Sequence, residues 1–149
     1  MTFIRKITAT HAPAAVLLIR LMVGLVFLSE GIQKFLFPDS VGAGRFAKIG
    51  LPQPEFLAQF VGVFEITCGS LIVLGLLTRL AVIPTITIML VAIATTKLPM
   101  LAEGGFWKMA HEGRTDFSML LGSLFLLIVG AGRLSLDALI VGRGNERSD

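Results

Sequence analysis

The sequence predicts an all-α fold, an integral membrane antiparallel four-helix bundle with short interfacial helices. Of its 149 residues, 54% are hydrophobic and only 15% are charged, whereas soluble domains have about 45–50% apolar and about 25% charged residues. The apolar residues gather in four stretches, each near the roughly 20 residues that a bilayer crossing requires. Helices are expected because an open strand edge leaves backbone groups unpaired in hydrocarbon. The length fits one domain over 1–149.

The four predicted spans differ in the segments that join them. The spans cover 14–37, 56–77, 80–96 and 115–132. Spans two and three are separated by little beyond Thr78 and Arg79, which predicts a tight antiparallel helical hairpin. The first loop carries a short amphipathic stretch over 45–49. The third loop, 97–114, contains Trp107, and Trp near a span end is typical of the headgroup layer.

The segment after the last span predicts one short helix and a tail. Ser135 can cap a helix over 136–141. Gly142 would end that helix, because glycine is common just past a helix C-terminus. Residues 143–149 are therefore expected to form a loose tail.

Small residues recur on one face of each predicted span at alternating steps of three and four. Membrane helices associate through close packing of such residues, and this spacing is that of a left-handed bundle seam. The predicted seams include Gly24 and Gly31, then Gly62 and Gly69, then Ala81 and Thr85, and finally Ser118, Gly122 and Phe125.

Composition excludes several functional classes. The net charge of +3 does not indicate nucleic-acid binding, because the basic residues are scattered at span ends rather than clustered. The single cysteine, Cys68, excludes an intramolecular disulfide or a CxxC redox pair within the chain. No spacing of Cys and His predicts a metal site, and no phosphate-binding or cofactor-binding motif is present, so no cofactor is predicted.

Ionisable residues inside the spans indicate a candidate ligand or proton pocket. Such residues each cost roughly 2.5–3.5 kcal/mol at a helix centre. Glu65 lies on the small-residue seam of the second span, and Glu30 and Lys34 are four residues apart, which favours an ion pair between them. We predict one pocket built by Glu30, Lys34, Glu65 and Arg114, open at the membrane face where the third loop lies.

Secondary candidates and a structural alternative accompany this pocket. The secondary candidates are Cys68, His111, Glu112 and Asp116. The alternative is that the buried charges only fix the register of the helices. Arg20, in the first span, is expected to snorkel to the opposite face as a topology anchor.

Three segments of the chain resemble the DoxX family of small bacterial membrane proteins. The first runs from Arg20 through the sequence SEGIQKF at 29–35, the second from GVFE at 62–65 to LGLLTR at 74–79, and the third from TDF at 115–117 to GAGRLSLD at 130–137. The resemblance covers roughly positions 14–140. It implies a four-helix integral membrane protein, and relatives are linked to quinone-coupled oxidation of sulfur compounds and to membrane oxidoreductase complexes.

The absence of a self-contained cofactor site predicts an accessory subunit with no self-contained enzymatic activity, and the resemblance implies that it belongs to a membrane redox assembly, quinone-linked or thiol-linked. One alternative is a protein that binds or transports a small molecule, which favours a homo-oligomer because four helices make a small pore wall. The other alternative is an assembly factor for membrane proteins. We expect a multi-pass protein of the bacterial inner membrane. Its termini are expected to be cytoplasmic, because their side would carry seven basic residues and the other side six.

Overall fold

The computed structural model describes Thr8 and residues 12–146, and every regular element in this part of the chain is a helix. The helices, in chain order, are α1 (Val16–Leu36), α2 (Ala43–Lys48), α3 (Pro54–Leu74), α4 (Thr78–Ala92), α5 (Leu98–Glu112), α6 (Arg114–Val129) and α7 (Leu136–Glu146), and a π-helical turn (Ile93–Lys97) joins α4 to α5. The predicted all-α fold is confirmed.

Three helical stretches are long and apolar enough to cross a membrane: α1, α3 and the continuous stretch Thr78–Glu112 that begins with α4. Helices α1 and α3 begin and end within a few residues of the first two predicted spans. The third stretch begins two residues before the third predicted span, 80–96, but continues sixteen residues past its end. The fourth predicted span corresponds to α6, which has 16 residues and would rise about 24 Å. The amphipathic stretch over 45–49 falls on α2, as predicted.

Helices α1 and α3 make the most extensive contact in the fold, and glycines make this contact possible. A Cβ atom added at Gly69 would lie 2.8 Å from the carbonyl oxygen of Gly24, and one added at Gly31 would lie 2.8 Å from that of Gly62. The two backbones therefore approach more closely than any side chain at these positions would allow. Helices α4 and α6 form the second pair, which packs against the first.

One end of the bundle is closed by the Arg20 centre, which consists of Arg20, Gly75 and Asp137. The guanidinium of Arg20, 2% exposed, donates hydrogen bonds to the carbonyl oxygens of four residues on either side of it. Its Nε donates to Ile72 at 2.9 Å, its Nη1 to Ala131 at 3.1 Å and Leu134 at 2.5 Å, and its Nη2 to Val73 at 2.5 Å. Arg20 thus joins α1 to the end of α3 and to the segment that follows α6.

Gly75 and Asp137 complete this centre. Gly75 ends α3 in the left-handed region with φ 68°, and a Cβ atom there would lie 2.6 Å from the Arg20 Cζ atom. The Asp137 carboxylate accepts hydrogen bonds from the backbone N–H groups of Leu77 at 2.8 Å and Thr78 at 3.1 Å. It therefore caps the N-terminus of α4, where backbone donors lack partners within the helix.

Three expectations are wrong in this part of the fold. Arg20 does not snorkel to a membrane face, because surrounding carbonyl groups satisfy its charge inside the bundle. The expected loop over 97–114 is largely helical as α5. The Ser135 hydroxyl accepts from the N–H of Ala138 at 3.1 Å, as predicted for a cap, but α7 continues past Gly142 to Glu146. The expected tail over 143–149 is thus helical as far as residue 146, and residues 147–149 lie outside the described part.

Candidate functional site

A partly open cavity of about 660 Å³ lies at the end of the bundle opposite the Arg20 centre. At this end α1 and α4 finish while α3 and α6 begin, so all four helices contribute to its wall. Helix α2 and the segment after it supply further lining residues. The volume lies in the range of small-molecule sites, about 300–1,000 Å³.

The cavity wall is mostly apolar and carries eight charged side chains. The apolar part includes Val26, Phe27, Phe60, Val61, Ile88, Met89 and Met119. The charged part consists of four cations and four anions, namely Lys34, Arg45, Lys97, Arg114, Glu30, Glu65, Glu112 and Asp116. The formal charges of the lining therefore cancel.

A buried ion pair joins α1 to α3 inside this cavity. The Lys34 Nζ atom lies 2.6 Å from the Glu65 Oε2 atom, and the two side chains are 8% and 4% exposed. Glu65 lies near the midpoint of α3 and is farther from the ends of its helix than any other acid in the lining. Apart from Lys34, no donor among the described residues reaches the buried Oε2 atom. This oxygen therefore retains acceptor capacity.

The predicted ion pair between Glu30 and Lys34 is wrong. Lys34 reaches across to Glu65 instead, while Glu30 is exposed on α1 and still lines the cavity. A buried carboxylate competes more strongly for the ammonium group than an exposed one, because a buried charge without a partner costs more free energy.

A second ion pair lies where the cavity meets the ends of α4 and α6. The Lys97 Nζ atom lies 3.3 Å from the Asp116 Oδ2 atom, with side chains 10% and 22% exposed. Lys97 closes the π-helical turn, an element found frequently at functional sites. Arg114 is exposed and its Nη1 donates a hydrogen bond to the carbonyl oxygen of His111.

The structure brings six of the eight candidate residues to one cavity: Glu30, Lys34, Glu65, Glu112, Arg114 and Asp116. The other two lie elsewhere. Cys68 is buried in the core of the bundle, one turn beyond Glu65, and His111 is exposed on α5. Among the described residues, no group of His, Cys, Asp or Glu side chains is placed to hold a metal ion.

Sequence reasoning missed two of the cations in the lining, Lys97 and Arg45. Lys97 directly follows a predicted span, so the sequence places it in the loop. Asp116, near the start of α6, is its partner and was the residue that could have indicated the pair. Arg45 lies on the short helix α2, and its place over the cavity depends on how that helix folds back onto α3.

The fold and cavity define a helical membrane protein with a charged, apolar-walled internal site. Comparison with known proteins agrees with this class. The DoxX family model matches residues 15–98, which is more than half of the chain. The chain therefore belongs to the DoxX family.

Three relatives cover most of the chain. The chain is 54% identical over 138 residues to the uncharacterized membrane protein Rv3486 of Mycobacterium tuberculosis, covering 89% of this chain and 85% of that protein. It is 30% identical over 126 residues to the "Putative oxidoreductase CatD" of Bacillus subtilis, covering 83% and 85%. It is 34% identical over 131 residues to an uncharacterized protein of Haemophilus influenzae, covering 85% and 91%. No solved structure matches the chain.

Proposed function

We propose that this protein is the ligand-binding membrane subunit of a redox assembly, and that its cavity holds a small amphipathic organic molecule, quinone-like or thiol-bearing. The observation that carries the proposal is the cavity of about 660 Å³ with the Lys34–Glu65 pair in its wall. The contact with lipid follows from the membrane-spanning helices. The redox partner that exchanges electrons with the bound molecule is part of the proposal.

The chemistry of the cavity wall favours an amphipathic ligand over an ion. Because the four cations and four anions of the lining cancel, an ion would enter without a net countercharge. An apolar body gains from contact with the aliphatic and aromatic side chains, at roughly 25 cal/mol per Å² of apolar surface buried. A few placed polar groups then fix its orientation, as in most small-molecule sites.

The Lys34–Glu65 pair supplies a hydrogen-bond donor and a hydrogen-bond acceptor at one point of the cavity wall. The Lys34 ammonium donates hydrogen bonds to ligand oxygens. The Glu65 carboxylate, whose buried Oε2 atom pairs with Lys34, lines the cavity and accepts from a ligand O–H or N–H group. A head group that carries a carbonyl or hydroxyl oxygen matches both.

The proposed redox role is supported by similarity to a relative that is named as an oxidoreductase. The relative from Bacillus subtilis, 30% identical to this chain, carries the name of an oxidoreductase. Membership of the DoxX family agrees with this context.

A binding experiment tests the proposal with a short-chain naphthoquinone as the probe. Isothermal titration calorimetry in lipid nanodiscs compares the wild type with the double variant Lys34→Gln/Glu65→Gln, which removes both charges together. We expect the double variant to bind about 10-fold or more weakly, because one lost charged hydrogen bond contributes about 1.5–3 kcal/mol. Glu55→Gln is the matched control, since Glu55 is exposed on the same helix and does not line the cavity. Equal affinity of the double variant and the wild type would contradict the proposed site.

We further propose four membrane crossings in the bacterial inner membrane, with α6 as the fourth and both termini in the cytoplasm. The apolar sequence of α6 and its packing along α4 support this helix as a crossing. The side chains of Arg20, Lys34 and Lys97 are buried, and without them six basic residues on the side of the termini against four on the other support the orientation. A topology reporter fused after Asp149 should indicate a cytoplasmic C-terminus, and a periplasmic result would contradict the orientation.

A further inference from the structure

Helix α5 is a hairpin of two short helical arms between the π-helical turn and α6. Gly105 interrupts it with φ 75° and ψ 174°, which are not helical values, so the arms are 98–104 and 106–112. The two ends of α5 lie together: a Cβ atom at Gly113 would lie 3.7 Å from the Lys97 Cγ atom. A straight helix of 15 residues would separate its ends by about 22 Å. The chain therefore reverses direction at Gly105.

The tip of this hairpin exposes two aromatic rings. Phe106 and Trp107 follow the reversal directly, with ring centroids 5.2 Å apart in an edge-to-face arrangement. Phe106 is 58% exposed and Trp107 is 83% exposed. No residue of α5 is buried, so the hairpin has almost no packing of its own within the chain.

The hairpin begins at the level where a bilayer changes from hydrocarbon to headgroups. The 15 residues of α4 and the 5 residues of the π-helical turn rise about 30 Å, which equals the thickness of the hydrocarbon core, about 30 Å. The Lys97–Asp116 pair marks the end of this stretch. Leu98, the first residue of the hairpin, therefore lies at the boundary between hydrocarbon and headgroups.

The geometry points to an interfacial anchor: we infer that the 98–112 hairpin docks into the phospholipid headgroup layer, with Phe106 and Trp107 inserted among the upper acyl chains. Trp is enriched at this depth because its apolar ring and polar N–H suit the two sides of the boundary. Lys108 follows the aromatic pair and provides a cation for lipid phosphates. The exposed Leu98 and Leu101 on the first arm extend the apolar surface.

Trp107 is the only tryptophan of the chain, which also lacks tyrosine, so intrinsic fluorescence reports on this tip alone. The full-length protein is reconstituted in vesicles of phosphatidylethanolamine and phosphatidylglycerol. Its emission is quenched in turn by iodide, by lipids brominated near the top of the acyl chain, and by lipids brominated near the chain end. We expect the shallow bromolipid to remove more than about half of the emission, the deep bromolipid much less, and iodide less than it removes from free N-acetyltryptophanamide.

A depth reference comes from the double variant Trp107→Phe/Leu25→Trp, because Leu25 is 51% exposed near the midpoint of α1. Its emission should be quenched most by the deep bromolipid. Quenching of wild-type Trp107 by iodide as in the free amide, with no bromolipid effect, would place the tip in water and overturn the inference. Protection from all three quenchers would mean that protein covers the tip, and it would overturn the inference equally. Neither outcome bears on ligand binding in the cavity, which is tested separately.

Discussion

Breaking the Lys34–Glu65 pair should destabilise the protein far more than removing both of its charges. At 2.6 Å and an effective dielectric constant of about 20, the attraction is about 6 kcal/mol, and desolvation of the two groups offsets much of it. Removing one partner leaves a buried charge uncompensated. We therefore expect Glu65→Gln and Lys34→Gln each to lower the free energy of unfolding by about 3–5 kcal/mol. The double variant should lose much less, with a coupling energy of about 3 kcal/mol or more.

The single cysteine provides the assay for this cycle. Cys68 is 5% exposed and lies one turn from Glu65, so its rate of labelling by a maleimide in detergent with increasing SDS reports opening of the bundle. Glu55→Gln, an exposed change on the same helix, should label like the wild type. If each single variant loses less than about 1 kcal/mol, as surface pairs do, or if the two losses simply add, the pair is not a buried, coupled interaction and the reasoning is refuted.

Three further predictions concern the packing of the bundle, and the same labelling assay measures their effect on unfolding. Arg20→Lys should lower the free energy of unfolding by about 3 kcal/mol or more, because an ammonium group cannot replace the planar guanidinium that donates to four carbonyl groups. The control Arg133→Lys, at an exposed position, should change the free energy of unfolding by less than about 0.5 kcal/mol. Equal effects of the two variants would contradict the role of the Arg20 centre. Asp137→Asn should cost about 1–3 kcal/mol, since an amide has one acceptor oxygen for two backbone N–H groups, and hydrogen exchange at the start of α4 should accelerate; unchanged exchange would be inconsistent with the cap. Gly69→Ala should cost about 1–3 kcal/mol, because its Cβ would lie 2.7 and 2.8 Å from backbone atoms of α1, whereas Thr67→Ala on the exposed face of α3 should be nearly neutral.

The contact between α1 and α3 was predictable because glycine periodicity encodes it directly. Gly24 and Gly31 on one helix and Gly62 and Gly69 on the other are all buried, as the seam predicts. The seam of α6 was only partly predictable. Gly122 is buried, but Ser118 and Phe125 are exposed, because the face of a helix rich in large apolar residues all round is weakly specified by sequence.

The partners of the buried cations were not predictable from local spacing. The four-residue rule favoured Glu30 for Lys34, whereas the stagger of α1 against α3 brings Glu65 to it. Arg20 finds its acceptors in Ala131 and Leu134, more than one hundred residues away, after the chain turns back beyond α6. Such carbonyl groups carry no sequence signal, because every residue has one.

The composition of residues 98–112 did not predict the helical hairpin that they form. Gly104 and Gly105 indicate a loop, and the chain does reverse there. The two arms on either side are too short for a clear helical period. What the sequence did indicate was Trp107 near a span end, a prediction whose physical basis is the chemistry of the bilayer interface.

Native mass spectrometry of the protein released from lipid nanodiscs tests the central claim, that the cavity holds a small amphipathic molecule, most directly. The wild type and Glu55→Gln should carry a discrete organic adduct that persists when bound lipids are stripped. The Lys34→Gln/Glu65→Gln variant should have lost it while remaining folded by Cys68 labelling. A wild type without an adduct, or an adduct retained equally by the double variant, would contradict the account.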